Sequence, residues 1–513
     1  MSFNLAAMLR ESRLATPDTA CLIHQGKPVT YRELDDLSTR FARGLRARGL
    51  GPGDVLAMTL PNVPEFVVAY FGALKAGVTV MPLSPLLKAT EIEFHLTDSG
   101  ARVLIAFDVF AAEALGAAGN VAGTTVHIVT MTEGGPVPPG TVPFGELLPD
   151  GPPDRAEWVR GDIEPTSSDD TAVLLYTSGT TGRPKGAELT HFQLYMNCTV
   201  SGELFGVVRG DVSLGALPLF HVYGLSGVLN TCVRYGGTVS LVLRFEAQSV
   251  LDQMVRDGVS VVVGVPTMYV ALLGADRTGR DLSRLRVGSS GGASMPGEVL
   301  RAFEEAFGIV ILEGYGLSES ASTATFNQGV DARRVLSVGK PIWGVELRVI
   351  GLDDLPLPPG EEHVGEILLR GHNIITRYRD NPEATDEAFR NGWFHTGDLG
   401  YLDKDGYLFV VDRKKDLVIR GGYNVYPREV EEVLYTHPAI AEAAVIGTPD
   451  ERLGEEVLAV VSLRPGAAAE PDEVIAFCKE RMAAYKYPRI VRIVEELPKG
   501  ASGKILKKEL RSA

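Results

Sequence analysis

Cysteine is scarce in this chain. Cys21, Cys198, Cys232 and Cys478 are the only four in 513 residues, and no two form a Cys-x-x-Cys pair. Such scatter argues against a disulfide framework or a cysteine-based zinc site and suits reduced thiols in a cytoplasm. Long hydrophobic runs are also missing. The longest conspicuous one, Phe66 to Leu74, falls well short of the ~20 residues that a membrane span needs. The start, Met1 to Pro17, carries charges among its apolar residues and has no uninterrupted apolar stretch of signal-peptide type. Basic residues are outnumbered, 50 Lys and Arg against 65 Asp and Glu, for a net charge of -15. A general nucleic-acid binder needs clustered positive charge, so that class is disfavoured. Small anionic ligands are not, because local fields hold them. The expectation is a cytoplasmic chain with no integral membrane segment and no nucleic-acid partner.

What is present is a large apolar reserve. Hydrophobic residues make up 45% of a chain too long for one ordinary core, which predicts at least two domains. Thr30 and Glu33 have the spacing of a capping box, and Leu34, Leu37, Phe41 and Leu45 follow on one helical face before Gly49 ends it. Strands are predicted at Val55 to Leu60, Val78 to Leu83 and Val103 to Ala106, with helices from Pro64 to about Gly77 and from Glu91 to Leu96 between them. Strand and helix in turn predict an α/β fold with a parallel sheet covered on both faces. The Pro- and Gly-rich segment from Gly134 to Pro153 reads as a surface loop or junction, and the alternation is expected to continue to about residue 400. Beyond Asp412 a smaller α+β module of about 100 residues is predicted, a size suited to independent folding. It has helices at Pro427 to Leu434 and Asp472 to Met482, and strands at Ala441 to Ile446, Val457 to Leu463 and Ile490 to Val494.

The densest chemical signal is Tyr176-Thr177-Ser178-Gly179-Thr180-Thr181-Gly182-Arg183-Pro184-Lys185-Gly186, after an apolar run at Val173 to Leu175 that reads as a buried strand. Glycines let successive backbone N–H groups converge on one anion, and the hydroxyls and Lys185 add donors and charge. This is a phosphate-binding composition. It is not a Walker loop, since Pro184 stands where that motif wants Gly, and Gly186 where it wants Ser or Thr. Four more segments stand out: Leu217-Pro218-Leu219-Phe220-His221-Val222-Tyr223-Gly224, Gly314-Tyr315-Gly316-Leu317-Ser318-Glu319, Trp393-Phe394-His395-Thr396-Gly397-Asp398, and Asp412-Arg413-Lys414-Lys415-Asp416 followed by Gly421-Gly422-Tyr423. Near the end stands Pro498-Lys499-Gly500-Ala501-Ser502-Gly503-Lys504.

In order and spacing, from about Thr30 to Lys504, these segments resemble the adenylate-forming superfamily, and within it the acyl-CoA synthetases. The resemblance implies a large N-terminal domain of layered, parallel-rich sheets with helices (1–411), a hinge (412–416) pivoting at Lys415, and a small mobile α+β domain (417–513). It implies ATP, Mg²⁺ and CoA as cofactor and co-substrates, a carboxylic acid as substrate, and allows a homodimer. ATP or AMP would be held by Thr177, Ser178, Gly179, Thr180, Thr181, Gly182 and Lys185. Gly292, Ala293, Glu313, Gly314, Tyr315, Gly316 and Ser318 would join them, with Tyr315 on the adenine ring, and Asp398 and Arg413 at the ribose. Ser318 stands where the family usually has Thr; the hydroxyl is kept. Metal would sit at Thr177 and Glu319, in keeping with the one or two carboxylates that Mg²⁺ usually takes. Lys504, His221 and Lys185 would be catalytic, and Gly421, Gly422 and Tyr423 would line the CoA channel.

The resemblance also points to Tyr223, Gly224, Gly264, Val265, Gly291, Gly316 and Leu317 around the acyl group. These are apolar or small and suit an alkyl or aryl chain. Amino-acid-activating relatives have Asp just after the Phe; here His221 follows Phe220, which disfavours an amino acid. A medium- or long-chain fatty acid is the first expectation. A malonate-like acid near Arg286, an aryl acid, transfer to a carrier protein, a luciferase-like oxidation, and a nucleotide binder without catalysis are the alternatives. Retention of Lys504, Glu319 and Lys185 weighs against the last.

Overall fold

The computed structural model describes residues 3–131, 135–151, 161–178 and 183–511. The chain forms two compact units, one of residues 1–263, 316–323 and 372–387, the other of residues 264–315, 324–371 and 388–513.

The first unit holds a seven-stranded sheet in the order Val142–Pro143, Thr125–Val129, Val103–Phe107, Val55–Thr59, Thr79–Pro82, Thr171–Ser178, Pro184–Thr190. Every neighbouring pair is parallel except the last, which is an antiparallel hairpin. The two ends of the glycine-rich signature, Tyr176 to Ser178 and Pro184 to Gly186, are therefore paired antiparallel with one another. Helix Tyr31–Ala47 begins as its sequence dictates: the Thr30 hydroxyl accepts from the Glu33 amide (3.2 Å) and the Glu33 carboxylate accepts from the Thr30 amide (2.8 Å). Leu34, Phe41 and Leu45 are buried. Helix Pro64–Lys75 starts with Pro at its first turn and is buried almost all round. Its last residue, Lys75, is fully buried and bonds Asp35 Oδ1 at 2.6 Å, with Arg10 and Arg13 closing on Asp35 Oδ2.

Part of the segment from Gly134 to Pro153, read from its composition as a surface loop or junction, is packed. Val142–Pro143 adds a strand, and the following helical turn Phe144–Leu147 buries Phe144 and Leu147. Phe144 stacks on Phe41 with ring centroids 5.6 Å apart, and a Cβ on Gly44 would sit 2.1 Å from the Leu147 carbonyl oxygen. Two large apolar residues in a Pro-rich stretch suffice to dock it. A second sheet of this unit runs Val212–Gly215, Thr238–Leu241, Ala20–His24, Lys27–Thr30, antiparallel only in its last pair.

In the second unit, the parallel pair Val287–Ser290 and Val310–Tyr315 is extended by the antiparallel strands Thr325–Phe326 and Lys340–Pro341. The strand–helix alternation expected up to residue 400 stops before that. Val345–Ile350, Gly365–Gly371, Trp393–Leu402, Phe389–Arg390 and Leu408–Arg413 form an antiparallel sheet. Two of the four connections, 391–392 and 403–407, are short turns, which can join only antiparallel neighbours. The last hundred residues carry a five-stranded sheet with helices Pro427–Tyr435 and Pro471–Arg481, around a core that includes Val418, Val430, Leu434, Val445, Val461 and Val474. The predicted strand Ile490–Val494 has the same bounds in the structure. Among the described residues no helix is long and apolar enough to cross a membrane.

Candidate active site

In the first unit, the hairpin Thr171–Ser178/Pro184–Thr190 sets Thr177 opposite Lys185. Gly179, Thr180, Thr181 and Gly182, and the side chain of Ser178, lie outside the described residues. The Thr177 hydroxyl donates to Glu319 Oε1 at 3.1 Å. Lys185 Nζ lies 3.4 Å from Glu387 and 5.6 Å from the centre of the Tyr378 ring. Tyr378 is carried there because its segment pairs antiparallel with Ala187 and the Arg379 amide donates to the Gly186 carbonyl. The Tyr378 hydroxyl donates to Glu319 Oε1 at 2.9 Å.

Glu319 sits in the short helical turn Ser318–Ser320, part of a strained loop. Ala321 (φ 56°) and Ser322 (φ 112°) are left-handed without being glycine. Two buried asparagines hold that shape. Asn197 Nδ2 donates to the carbonyls of Ser320 (3.3 Å) and Thr323 (2.7 Å), and Asn373 Nδ2 donates to the same pair at 3.1 and 2.8 Å. The Ile375 amide donates to the Glu319 carbonyl at 2.8 Å. Gly316 is obligatory, since a Cβ there would lie 1.8 Å from the Ser322 carbonyl oxygen. Sequence reasoning missed Asn197, Asn373 and Tyr378, because each acts across a long stretch of chain and none belongs to a quoted motif.

One carboxylate with two hydroxyls fits Mg²⁺, which fills its remaining sites with phosphate and water. It does not fit an ion caged by protein alone, and no group of three or more His, Cys, Asp or Glu able to hold a metal occurs among the described residues.

His221 is half-buried, and its Nδ1 accepts from the Tyr223 amide at 3.3 Å, so the neutral ring carries its proton on Nε2. Tyr223–Asn230 is a π-helix, a rare form that concentrates at functional sites. Gly224 has no room for a side chain: a Cβ would meet the Pro218 carbonyl oxygen at 2.2 Å. The Tyr223 ring lies across Gly227, 2.9 Å from where a Cβ would stand. Leu317 is half-buried just before the Glu319 turn.

In the second unit, the Tyr315 hydroxyl donates to Asp398 Oδ2 at 2.7 Å, and Arg413 Nε lies 3.3 Å from Asp398 Oδ1. Strand pairing sets Asp398 directly opposite Arg413. Burial pushes the Asp398 carboxyl above the usual range, while Arg413, the Tyr315 hydroxyl and Lys504 act against that rise. Lys504 stands on the hairpin after Lys499, where the Gly500 amide donates to its carbonyl (2.8 Å). The Thr267 hydroxyl anchors the preceding Gly503 carbonyl at 2.8 Å. The ammonium lies against Gly292 (φ 77°): a Cβ there would be 2.9 Å from Lys504 Cε and 3.3 Å from Nζ. Burial, then Arg413, lower the Lys504 ammonium to about 8, and Asp398 opposes them.

Val265 packs beside Gly503, Gly264 and Gly291 are buried, and Ala293 is exposed. Glu313, buried with Arg428 and Glu432 as charged neighbours, is pushed up to about 7, chiefly by burial. Arg286 is exposed just before strand Val287–Ser290. Gly421 (φ 59°) and Gly422 (φ 86°) form a two-residue hairpin turn that only left-handed residues allow, and exposed Tyr423 stacks on Tyr485 at 4.8 Å. Lys415 is exposed in the turn after Arg413.

Residues 9–379 match the family described as AMP-binding enzyme, and residues 429–504 match the AMP-binding enzyme C-terminal domain. Over 507 residues the chain is 39% identical to a feruloyl-CoA synthase of Amycolatopsis sp, covering 98% of this chain and 97% of that one. It is 34% identical over 533 residues to a long-chain-fatty-acid–CoA ligase of Bacillus subtilis (strain 168), covering 99% and 94%. Among solved structures it is similar to the anthranilate CoA ligase AuaEII in complex with anthranoyl-AMP, with a TM-score of 0.91 and 29% identity, over 100% of this chain and 97% of that one. The chain belongs to the AMP-binding enzymes, that is, to the adenylate-forming superfamily and its acyl-CoA synthetase family.

Proposed function

We propose that this protein joins a carboxylic acid to CoA through an acyl-adenylate, and that its acid is aromatic. The observation that carries adenylate formation is the Lys504 ammonium, held against Gly292 in the fields of Asp398 and Arg413. A carboxylate attacking the α-phosphorus of ATP brings two anions together, so positioned positive charge is what the reaction needs most. In this reading Lys504 bridges the incoming carboxylate and the α-phosphate, Lys185 holds the leaving pyrophosphate, and Asp398 accepts from the ribose hydroxyls while Tyr315 packs on adenine. Thr177 and Glu319 would hold Mg²⁺, whose charge neutralises the phosphate oxygens. The carboxylate oxygen forms the new P–O bond as pyrophosphate departs. CoA sulfur then attacks the adenylate carbonyl and AMP leaves.

The second attack needs the entrance that Lys504 occupies. We infer that residues 417–513 turn about Lys415 between the steps and exchange Lys504 for the exposed Gly421–Tyr423 loop, against the larger domain of 1–411. A cytoplasmic setting suits the four buried thiols.

The Lys504 charge gives the reaction a pH limb. A lysine lowered to about 8 loses its proton as pH rises through that value. Adenylation kcat/KM, which reports the free enzyme, should therefore fall by about tenfold per unit above pH ~8. Thioesterification of supplied acyl-AMP should lack this limb. A pH profile of adenylation that stays flat to pH ~9.5 would remove Lys504 from the role.

The sequence alone put a fatty acid first. Two observations favour an aryl acid instead: the 39% identity over 98% of the chain to a feruloyl-CoA synthase, and the Tyr223 ring packed against Gly227. An aromatic side chain backed by a glycine suits a planar ring. CoA-dependent AMP release over hydroxycinnamates, benzoates, C8 to C16 fatty acids and dicarboxylates tests this. The highest kcat/KM is expected with an aryl acid; a fatty acid at the top would restore the alkyl reading.

A further inference from the structure

Glu319 receives both of its hydroxyl donors on one oxygen. Thr177 Oγ1 (3.1 Å) and the Tyr378 hydroxyl (2.9 Å) both reach Oε1, and among the described residues no donor is recorded on Oε2. Tyr378 is buried and doubly fixed: its amide donates to the Thr385 hydroxyl at 3.0 Å, and its backbone bridges Ala187 on the hairpin. A phenol has one proton to give. The same ring carries the Lys185 ammonium 5.6 Å from its centre. One side chain thus touches the carboxylate and the lysine of the phosphate region, and its hydroxyl bears on the carboxylate.

We propose that Tyr378 is a positioning residue for the metal: with Thr177 it ties down Glu319 Oε1 and leaves Oε2 as the oxygen that takes the cation arriving with ATP. This rests on the reading of Glu319 as the Mg²⁺ ligand. A carboxylate free to rotate would spread its charge over several orientations, whereas one locked by two hydroxyls is preorganised. Second-contact partners of this kind typically change metal affinity by about 10–100-fold.

Tyr378→Phe removes the hydroxyl and keeps the ring under Lys185, so it isolates the effect. The experiment titrates ATP into the enzyme without acid, with Mn²⁺ as the probe metal followed by electron paramagnetic resonance. Parallel calorimetric titrations use ATP in EDTA and AMP. Expected is a loss of roughly tenfold in Mn²⁺ affinity of the enzyme–ATP complex, with metal-free ATP and AMP binding unchanged. Equal weakening of all three would mean a merely structural tyrosine and overturn the proposal. So would wild-type Mn²⁺ affinity in Tyr378→Phe while Glu319→Gln loses it; the Glu319 reading would then stand alone. Wild-type Mn²⁺ affinity in Glu319→Gln would sink that reading as well, and this inference with it.

Discussion

Lys504→Ala will lower single-turnover acyl-adenylate formation by about 10²–10³-fold, the usual cost of removing one preorganised charge donor from a transition state. Conversion of supplied acyl-AMP and CoA to thioester will stay within about threefold of wild type, as expected for a group used in one half-reaction only. The structural reasons are specific. The ammonium lies against Gly292, and it shares its electrostatic surroundings with Asp398 and Arg413. The substitution leaves the loop itself in place, because its anchor is the Thr267 bond to the Gly503 carbonyl and its turn is closed by backbone bonds between Gly500 and Lys504. A fall in both half-reactions by the same factor would show that Lys504 supports the fold rather than the first chemical step.

The second large effect concerns the turn after Arg413. Lys415→Pro should slow thioesterification by about tenfold or more and change adenylation by less than about threefold, since Pro fixes φ near -65° and so restricts a pivot. This position suits the test. The amides of Lys414, Asp416 and Leu417 all donate, to Gly397 and Arg413 carbonyls, but among the described residues no bond from the Lys415 amide is recorded. Proline there sacrifices no recorded hydrogen bond, and the side chain it replaces is exposed. Stopped-flow measurement of the two half-reactions separates the outcomes. The reverse pattern, with adenylation the slower step, would place the pivot elsewhere.

What the sequence made legible was local. The capping box at Thr30 and Glu33, the buried strand before the glycine-rich segment and the strand Ile490–Val494 all depend on residues within a few positions of one another. The partner of that buried strand was not readable, because Pro184, Lys185 and Gly186 are weak strand formers and only pairing with Tyr176 to Ser178 makes them one. The antiparallel sheet of 345–413 was hidden for a similar reason: strand direction is set by the length and path of the connections, which periodicity does not report. The motif residues Asp398, Arg413 and Tyr315 could be named from their resemblance and do converge. The groups that shape the Glu319 loop could not. Asn197 reaches a carbonyl 126 residues away and Tyr378 a carboxylate 59 residues away, and neither Asn nor Tyr announces such a partner in advance.

The central claim is that the acid is activated on the α-phosphate of ATP. Quenched single turnovers with ATP labelled at the α-phosphate, Mg²⁺ and acid, with CoA withheld, measure this directly. The account predicts about one equivalent of labelled acyl-AMP per active site, released as AMP once CoA is added, and its loss in Lys504→Ala. Labelled ADP in its place would mean attack at the γ-phosphate and would contradict the account.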